Sequence, residues 1–344
     1  MHRLFHTTEL SKILRFFSLL SVIVLSIFFG ACSTKKVYEP KVITGDWKSN
    51  TTNDQAVIDI TADISLLENR TVMSKSAVID VKIEEGFRLL SSSDGWIISS
   101  NIEGNVTLDY IDDKSMRESF ELKKTVAAAS VKNDILAILF ADNEMALYAI
   151  SSKELILREK GNAQKVVDSR VVNPYFMNDL VLFSTLDGKI IIINIEMKKK
   201  LRTVIVSSED NFNNIIYFNI IDEKIIAATG YKILSMSQKD TRVKYELRNV
   251  VDVDGTVFIS TKQGEVISLT SDLEVNAKAK FAFAHFLGMI AYKDKIYLLE
   301  KEGYLIELSK DLLEYKVYEV DIEDGYVFVA DKRFYIADEY ISVE

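Results

Sequence analysis

The sequence predicts an all-β fold, a β-propeller of seven blades with eight as the competing count. Three observations carry that expectation. From Ala56 onward apolar residues recur mainly at every second position and are rich in Val, Ile, Phe and Tyr, the pattern of strands. Seven times an apolar strand leaves an Asp-Gly, Asn-Asp or similar turn, breaks at a polar turn and resumes as a second apolar strand. The first strands of these hairpins begin at Trp96, Ile135, Leu180, Ile225, Val257, Ile296 and Val327, a mean spacing of about 39 residues, close to one propeller blade. A hairpin too thin to bury its own faces is stable only when stacked on its copies.

The N-terminus has a different character. Arg3, Lys12 and Arg15 precede an apolar run from Phe16 to Phe29, interrupted only by serines. That run is shorter than the ~20 residues a membrane span needs, so residues 1–31 read as a signal peptide. It ends in Phe29-Gly30-Ala31-Cys32, which resembles a bacterial lipobox, and Cys32 is the only cysteine of the chain. Cys32 is therefore the expected lipidation site, its acyl chains anchoring the protein by burying CH₂ groups at about 0.8 kcal/mol each. Ser33 after it, rather than Asp, favours the outer membrane.

Residues 32–55 hold Ser, Thr, Asn, Lys and Pro40 and read as a flexible tether, with Trp47 free to pack back onto the domain. Residues 56–344 form the propeller. One repeat can be divided into Thr125–Val131, Ile135–Phe140, Met145–Ile150 and Leu155–Glu159, four strands of a blade. The last repeat offers Tyr326–Ala330 and Phe334–Ile336 and lacks its outer strand. In the seven-bladed reading Ala77–Ile83 supplies that strand and removes the open edge. The eight-bladed alternative builds an irregular blade from residues 56–75.

Leu147-Tyr148-Ala149-Ile150-Ser151-Ser152-Lys153-Glu154-Leu155 resembles the PQQ-like propeller repeat, and Ile192-Ile193-Asn194-Ile195-Glu196 with Lys200-Leu201 is a second partial match. A lipidated propeller of this repeat type resembles the BamB-like outer-membrane lipoproteins, which scaffold the β-barrel assembly machinery. The resemblance covers residue 85 to the end. The Gly and Trp of the repeat turn are absent, so no partner-binding residue is carried over.

The chemistry available is narrow. Removing residues 1–31 takes away three basic residues and one acidic one and leaves a net charge of −11, unsuited to nucleic acid or anionic lipid surfaces. His285 is then the last histidine, which excludes Cys/His zinc sites and Cys-His nucleophiles. It lies in Phe281-Ala282-Phe283-Ala284-His285-Phe286 and is expected to be packed or turn-facing. Ser92-Ser93-Asp94-Gly95-Trp96 has the wrong spacing for a sialidase Asp-box and reads as a hairpin turn. The acidic turns Asp112-Asp113, Glu209-Asp210 and Asp252/Asp254 lack calcium-loop spacing and read as solvated charge. A PQQ site would need a stacking tryptophan and a calcium site, so no cofactor and no metal are expected. Glu103-Gly104-Asn105-Val106-Thr107 matches the extended bacterial N-glycosylation pattern, with Asn105 the acceptor at a hairpin tip. Lys198-Lys199-Lys200 reads as a solvated turn.

The expectation is a monomeric, non-enzymatic binding scaffold, anchored to the outer membrane and facing the periplasm. Its expected partners are envelope proteins, with the β-barrel assembly machinery implied by the BamB-like resemblance. A carbohydrate-binding or carbohydrate-active propeller and a surface-exposed adhesin are the alternatives. Carboxylates and aromatic rings at one channel mouth would favour the first of these, aliphatic and small residues would not.

Overall fold

Every regular element among the described residues is a strand; none is a helix. The computed structural model describes residues 36–47, 50–52, 55–164 and 166–344. The chain divides into two units, Met1–Val37 and Tyr38–Glu344, and the second is the propeller. The expected signal peptide, residues 1–31, and the expected lipidation site Cys32 lie outside the described residues.

The propeller has eight blades, seven of four strands and one of five. Blade 3 shows the plan: Val126–Lys132, Ile135–Phe140, Met145–Ala149 and Leu155–Glu159 meander antiparallel, the boundaries read from sequence to within a residue. Two-residue turns join first and second strands in blades 2 to 8. Asp94-Gly95, Asp222-Glu223 and Asp254-Gly255 each place both residues at positive φ, the turn whose twist matches that of the flanking strands.

Seven blades is therefore corrected to eight, the stated alternative. Blade 1 consists of Val57–Ile60, Ile64–Leu67, Thr71–Ser74 and Val78–Lys82. It escaped the repeat count because its first turn carries no Asp-Gly or Asn-Asp. Thr61 makes that turn instead: its hydroxyl accepts from the Ile64 amide (3.1 Å) and donates to the Ile64 carbonyl (3.0 Å). The Ala77–Ile83 segment accordingly completes blade 1 and does not close the ring.

Closure falls to the C-terminal part of the expected tether. Asn50–Thr52 pairs antiparallel with Glu339–Ser342 and becomes the outer strand of blade 8, with Thr51 opposite Tyr340. Just upstream, Gly45–Asp46 adds a parallel fifth strand to blade 7 against Tyr318 and Glu319. Tyr38 is buried against the rings of Phe281 and Tyr304. Trp47 packs 4.8 Å from the Tyr318 ring, and its indole N–H donates to the Ser342 carbonyl at 2.8 Å. From Tyr38 on, the described part of the expected tether is a packed strap.

The core is a ring of eight apolar clusters, one between each pair of neighbouring blades. Alternate residues of a middle strand feed opposite clusters. Leu136, Ile138 and Phe140 face blade 2, while Ala137 and Leu139 face blade 4. Val257 and Ile259 face blade 5, while Phe258 faces blade 7. Middle strands covered on both faces read as continuous apolar runs, which is why these hairpins stood out in the sequence. The eighth cluster joins Val57, Leu67 and Met73 of blade 1 to Phe328, Ala330 and Tyr335 of blade 8.

Candidate functional site

First strands of neighbouring blades meet around the axis between blades 1 and 2, 2 and 3, 6 and 7, and 7 and 8, and a ring of eight leaves a wider centre than one of seven would. The chain fills it itself. Between blades 3 and 4 the connection runs from residue 160 to 174, and its second half lies across the middle of the ring. The Val166 carbonyl accepts from the Phe212 amide at 3.0 Å. Asp168 N–H donates to buried Asn214 (2.7 Å), whose own amide donates back to the carbonyls of Asp168 (3.2 Å) and Arg170 (3.0 Å). Arg170 donates to the Arg248 carbonyl of blade 6. Asn173 accepts from the Ala129 amide of blade 3 (3.3 Å) and donates to the Leu90 carbonyl of blade 2 (3.4 Å). Pro174 then ends the segment, its locked φ leading into a first strand of only three residues, Tyr175–Met177.

This plug divides the axis into two mouths. At the mouth formed by the turns between first and second strands lies a cleft of about 370 Å³, lined among others by Asp63, Ser92, Asp94, Asn173, Tyr175 and Phe218. The Tyr175 and Phe218 rings sit 5.3 Å apart, tilted, and Tyr175 is 40% exposed. The polar groups there hold the protein together. Ser91 donates to the Ala129 carbonyl (2.6 Å), Ser93 accepts from the Val131 amide (2.8 Å) and Asp94 accepts from the Asn133 amide (2.6 Å). Asp63 pairs with Lys75 at 3.0 Å. On the neighbouring inner strands Asp252 accepts from the Tyr217 hydroxyl and from Asn219 (2.9 Å). Burial first, and the Asp252 carboxylate second, push the Tyr217 phenol far above its ordinary range.

The other mouth carries Asp168, Arg170, Arg248 and His285. Burial works to raise the Asp168 carboxyl, but the two-pronged hydrogen bond and charge of Arg170 hold it below the usual carboxylate range. The His285 amide donates to Glu300 at 2.8 Å, and Glu300, fully buried, also accepts from the Glu302 amide at 2.7 Å. Burial pushes the Glu300 carboxyl upward.

His285 is thus packed at a turn, and it meets Arg248, a partner the sequence did not indicate. Asn105 opens the third strand of blade 2, half-buried, its amide accepted by the Asn101 side chain at 2.9 Å, with Glu103 exposed beside it. Asp94-Gly95 is the expected hairpin turn. Of the acidic turns, Asp113 caps Ser115, Asp254 pairs with Lys310 at 2.7 Å and Asp252 binds Tyr217. Lys200 pairs with Glu159 at 3.0 Å. Among the described residues no three His, Cys, Asp or Glu side chains converge as a metal site.

The sequence reading missed the plug residues Asp168, Arg170 and Asn173. Two signals point to them, the long step from Ile135 to Leu180 and Pro174, one of only two prolines in the chain. What the arrangement offers chemically is contact surface: clefts over an axis crossed by residues 166–174.

Fold and site together define an eight-bladed β-propeller with a self-filled axis. No family model matches the chain. Over 216 residues, 62% of this chain, it is 31% identical to the plasminogen-binding protein PgbB of Helicobacter pylori strain J99, and 30% identical over the same length to that of strain 26695. The matched region spans 40% of the length of each of these relatives. Among solved structures it is similar to BamB from Moraxella catarrhalis, with a TM-score of 0.64 and 13% identity over 87% of this chain and 98% of that one. It is also similar to the C-terminal WD40 domain of Sif2, with a TM-score of 0.60 and 10% identity over 87% and 99% of the two chains. At such identities the structural likeness, BamB included, is one of fold.

Proposed function

We propose that this protein is a non-enzymatic, protein-binding propeller of the bacterial cell envelope, held to the outer membrane through Cys32. The observation that carries the reading is the 31% identity to proteins called plasminogen-binding, on a ring whose axis is crossed by its own residues 166–174. A propeller whose axis is crossed in this way works through its rims and clefts, where loops and turns from several blades meet and present a rigid surface to a partner. The shared fold with BamB supports the finer reading that the partner is an envelope protein such as the β-barrel assembly machinery. The similarity to PgbB supports the adhesin reading, with an extracellular protein as partner.

Two measurements separate these partners. Crosslinking in living cells followed by identification of the attached protein is expected to yield envelope proteins for a scaffold. Immobilised plasminogen is expected to bind the purified full chain saturably for an adhesin, and protease added to intact cells then degrades it. Loss of both signals, with outer-membrane barrels unaffected by deletion, sinks the binding-propeller reading. A carbohydrate reading draws support from the Tyr175–Phe218 ring pair beside Asp63 and Asp94, since stacked rings with flanking carboxylates suit a sugar face. Both carboxylates already hold partners, which makes it the second choice.

A further inference from the structure

Among the described residues Arg248 is a half-buried cation of the axial region that forms no ion pair. It lies at the start of the inner strand of blade 6, Leu247–Val253. One terminal nitrogen lies 2.7 Å from His285 Nε2. A guanidinium can only donate, so His285 is neutral there and its Nε2 accepts. Nε of Arg248 is buried with no hydrogen-bond partner. Burial, and then the nearby Arg170, both act against its charge. The carboxylates of the region are committed to other groups: Asp168 to Arg170, Glu246 to Gln263, Glu300 to the amides of His285 and Glu302. Lys262 adds a further positive charge close enough to act on Asp168. Arg248 itself forms no ion pair among the described residues, in a protein whose net charge is −9. A partly desolvated cation without a counter-charge is costly, and proteins ordinarily pair it.

We propose that Arg248, flanked by Arg170 and His285, is an oxyanion-binding site at this mouth of the propeller, taking a carboxylate or phosphate group. A guanidinium with donors left over grips such a group through two parallel hydrogen bonds, and Arg170 supports it from the plug. The group could be an acidic side chain of a bound protein or a free anion; the chemistry is the same. The site stands on its own geometry and does not depend on which partner the propeller binds.

The test follows the His285 imidazole nitrogen resonances of the ¹⁵N-labelled full chain in detergent, assigned with His285→Gln, while sodium phosphate is titrated at constant ionic strength. A saturable shift is expected, together with an upward move of the His285 titration midpoint as the neighbouring cation is neutralised. Arg248→Gln is expected to weaken phosphate binding at least tenfold, while Arg248→Lys, a point charge without the fork, retains part of it. If Arg248→Gln fails to fold, Arg248→Lys and Arg170→Gln decide the question through weakened but saturable binding. A tetraglutamate peptide that displaces phosphate assigns the site to protein carboxylates; saturable phosphate binding that the peptide leaves untouched assigns it to the free anion. A response linear in phosphate, or one that saturates equally in the Arg248 variants, overturns the site.

Discussion

Single residues decide where this chain can turn, and two glycines separate the reasons. Gly104 has φ +84° and Gly86 has φ +82°, so both occupy the left-handed region that a side chain resists. A Cβ on Gly104 would run into the backbone of Lys124, whereas one on Gly86 would meet nothing within 4 Å. Gly86→Ala is therefore expected to cost about 1 kcal/mol, the conformational strain alone. Gly104→Ala adds a backbone collision and is expected to cost about 3 kcal/mol or more by urea unfolding; equal costs would show that the collision relaxes away. Asp187 makes a pH-dependent case. Buried beside Asn143, it accepts from that amide (2.8 Å) and from the Thr185 hydroxyl (2.6 Å) and pairs with Lys189. Burial works to raise its carboxyl, but Lys189, Thr185 and Asn143 hold it below the usual value of 3.8. A depressed folded value stabilises above the ordinary carboxylate range and is lost as pH falls through the folded value. Asp187→Asn is thus expected to cost about 1–3 kcal/mol at pH 7, with the gap to the native protein closing below about pH 4. A gap independent of pH would show that the charge of Asp187 is not what the site uses.

At the scale of elements the strap from Tyr38 to Thr52 matters more than its length suggests. It crosses from the side of blade 7 to the edge of blade 8, and its largest anchor is Trp47, set against the rings of Tyr297 and Tyr318 and bonded to the Ser342 carbonyl. Trp47→Ala removes ring packing and a hydrogen bond and is expected to cost about 3 kcal/mol, while Trp47→Phe keeps most of the packing and costs about 1 kcal/mol. Amide exchange should show the loss first in Glu339–Ser342, whose outer neighbour the strap delivers. Unchanged exchange there would mean that Asn50–Thr52 stays paired without its anchor. The plug is the counterpart on the inside, since blade 4 shortens its first strand to three residues and spends the preceding chain on filling the axis.

For the whole molecule the physical issue is closure. Eight interfaces form a ring only if blade 8 is complete, and its fourth strand comes from the other end of the chain. Removing residues 1–52 leaves Glu339–Ser342 as an open edge, a template for pairing between molecules. The truncated protein is expected to melt at lower temperature and to self-associate in light scattering as concentration rises. A monomer with unchanged melting would show that the ring is held by its apolar interfaces alone.

The sequence by itself determined that the chain is built from repeated antiparallel hairpins of about forty residues. Turn chemistry and two-faced burial both leave local signatures, as in Asp94-Gly95-Trp96 and in Ile190–Ile193, whose side chains alternate between two clusters. The alternation around His285 suggested a strand, whereas residues 281–285 form a turn that leaves Ala282 and Phe283 exposed and His285 half-buried. The number of blades, the strand that closes them and the plug were decided only by tertiary structure. Thr61 makes a turn that no Asp-Gly announces, Asn50–Thr52 becomes a strand only because Glu339–Ser342 offers it an edge, and Asp168, Arg170 and Asn173 find their partners on blades far away in sequence. Such contacts depend on the ring already being assembled, and no local pattern of residues encodes them.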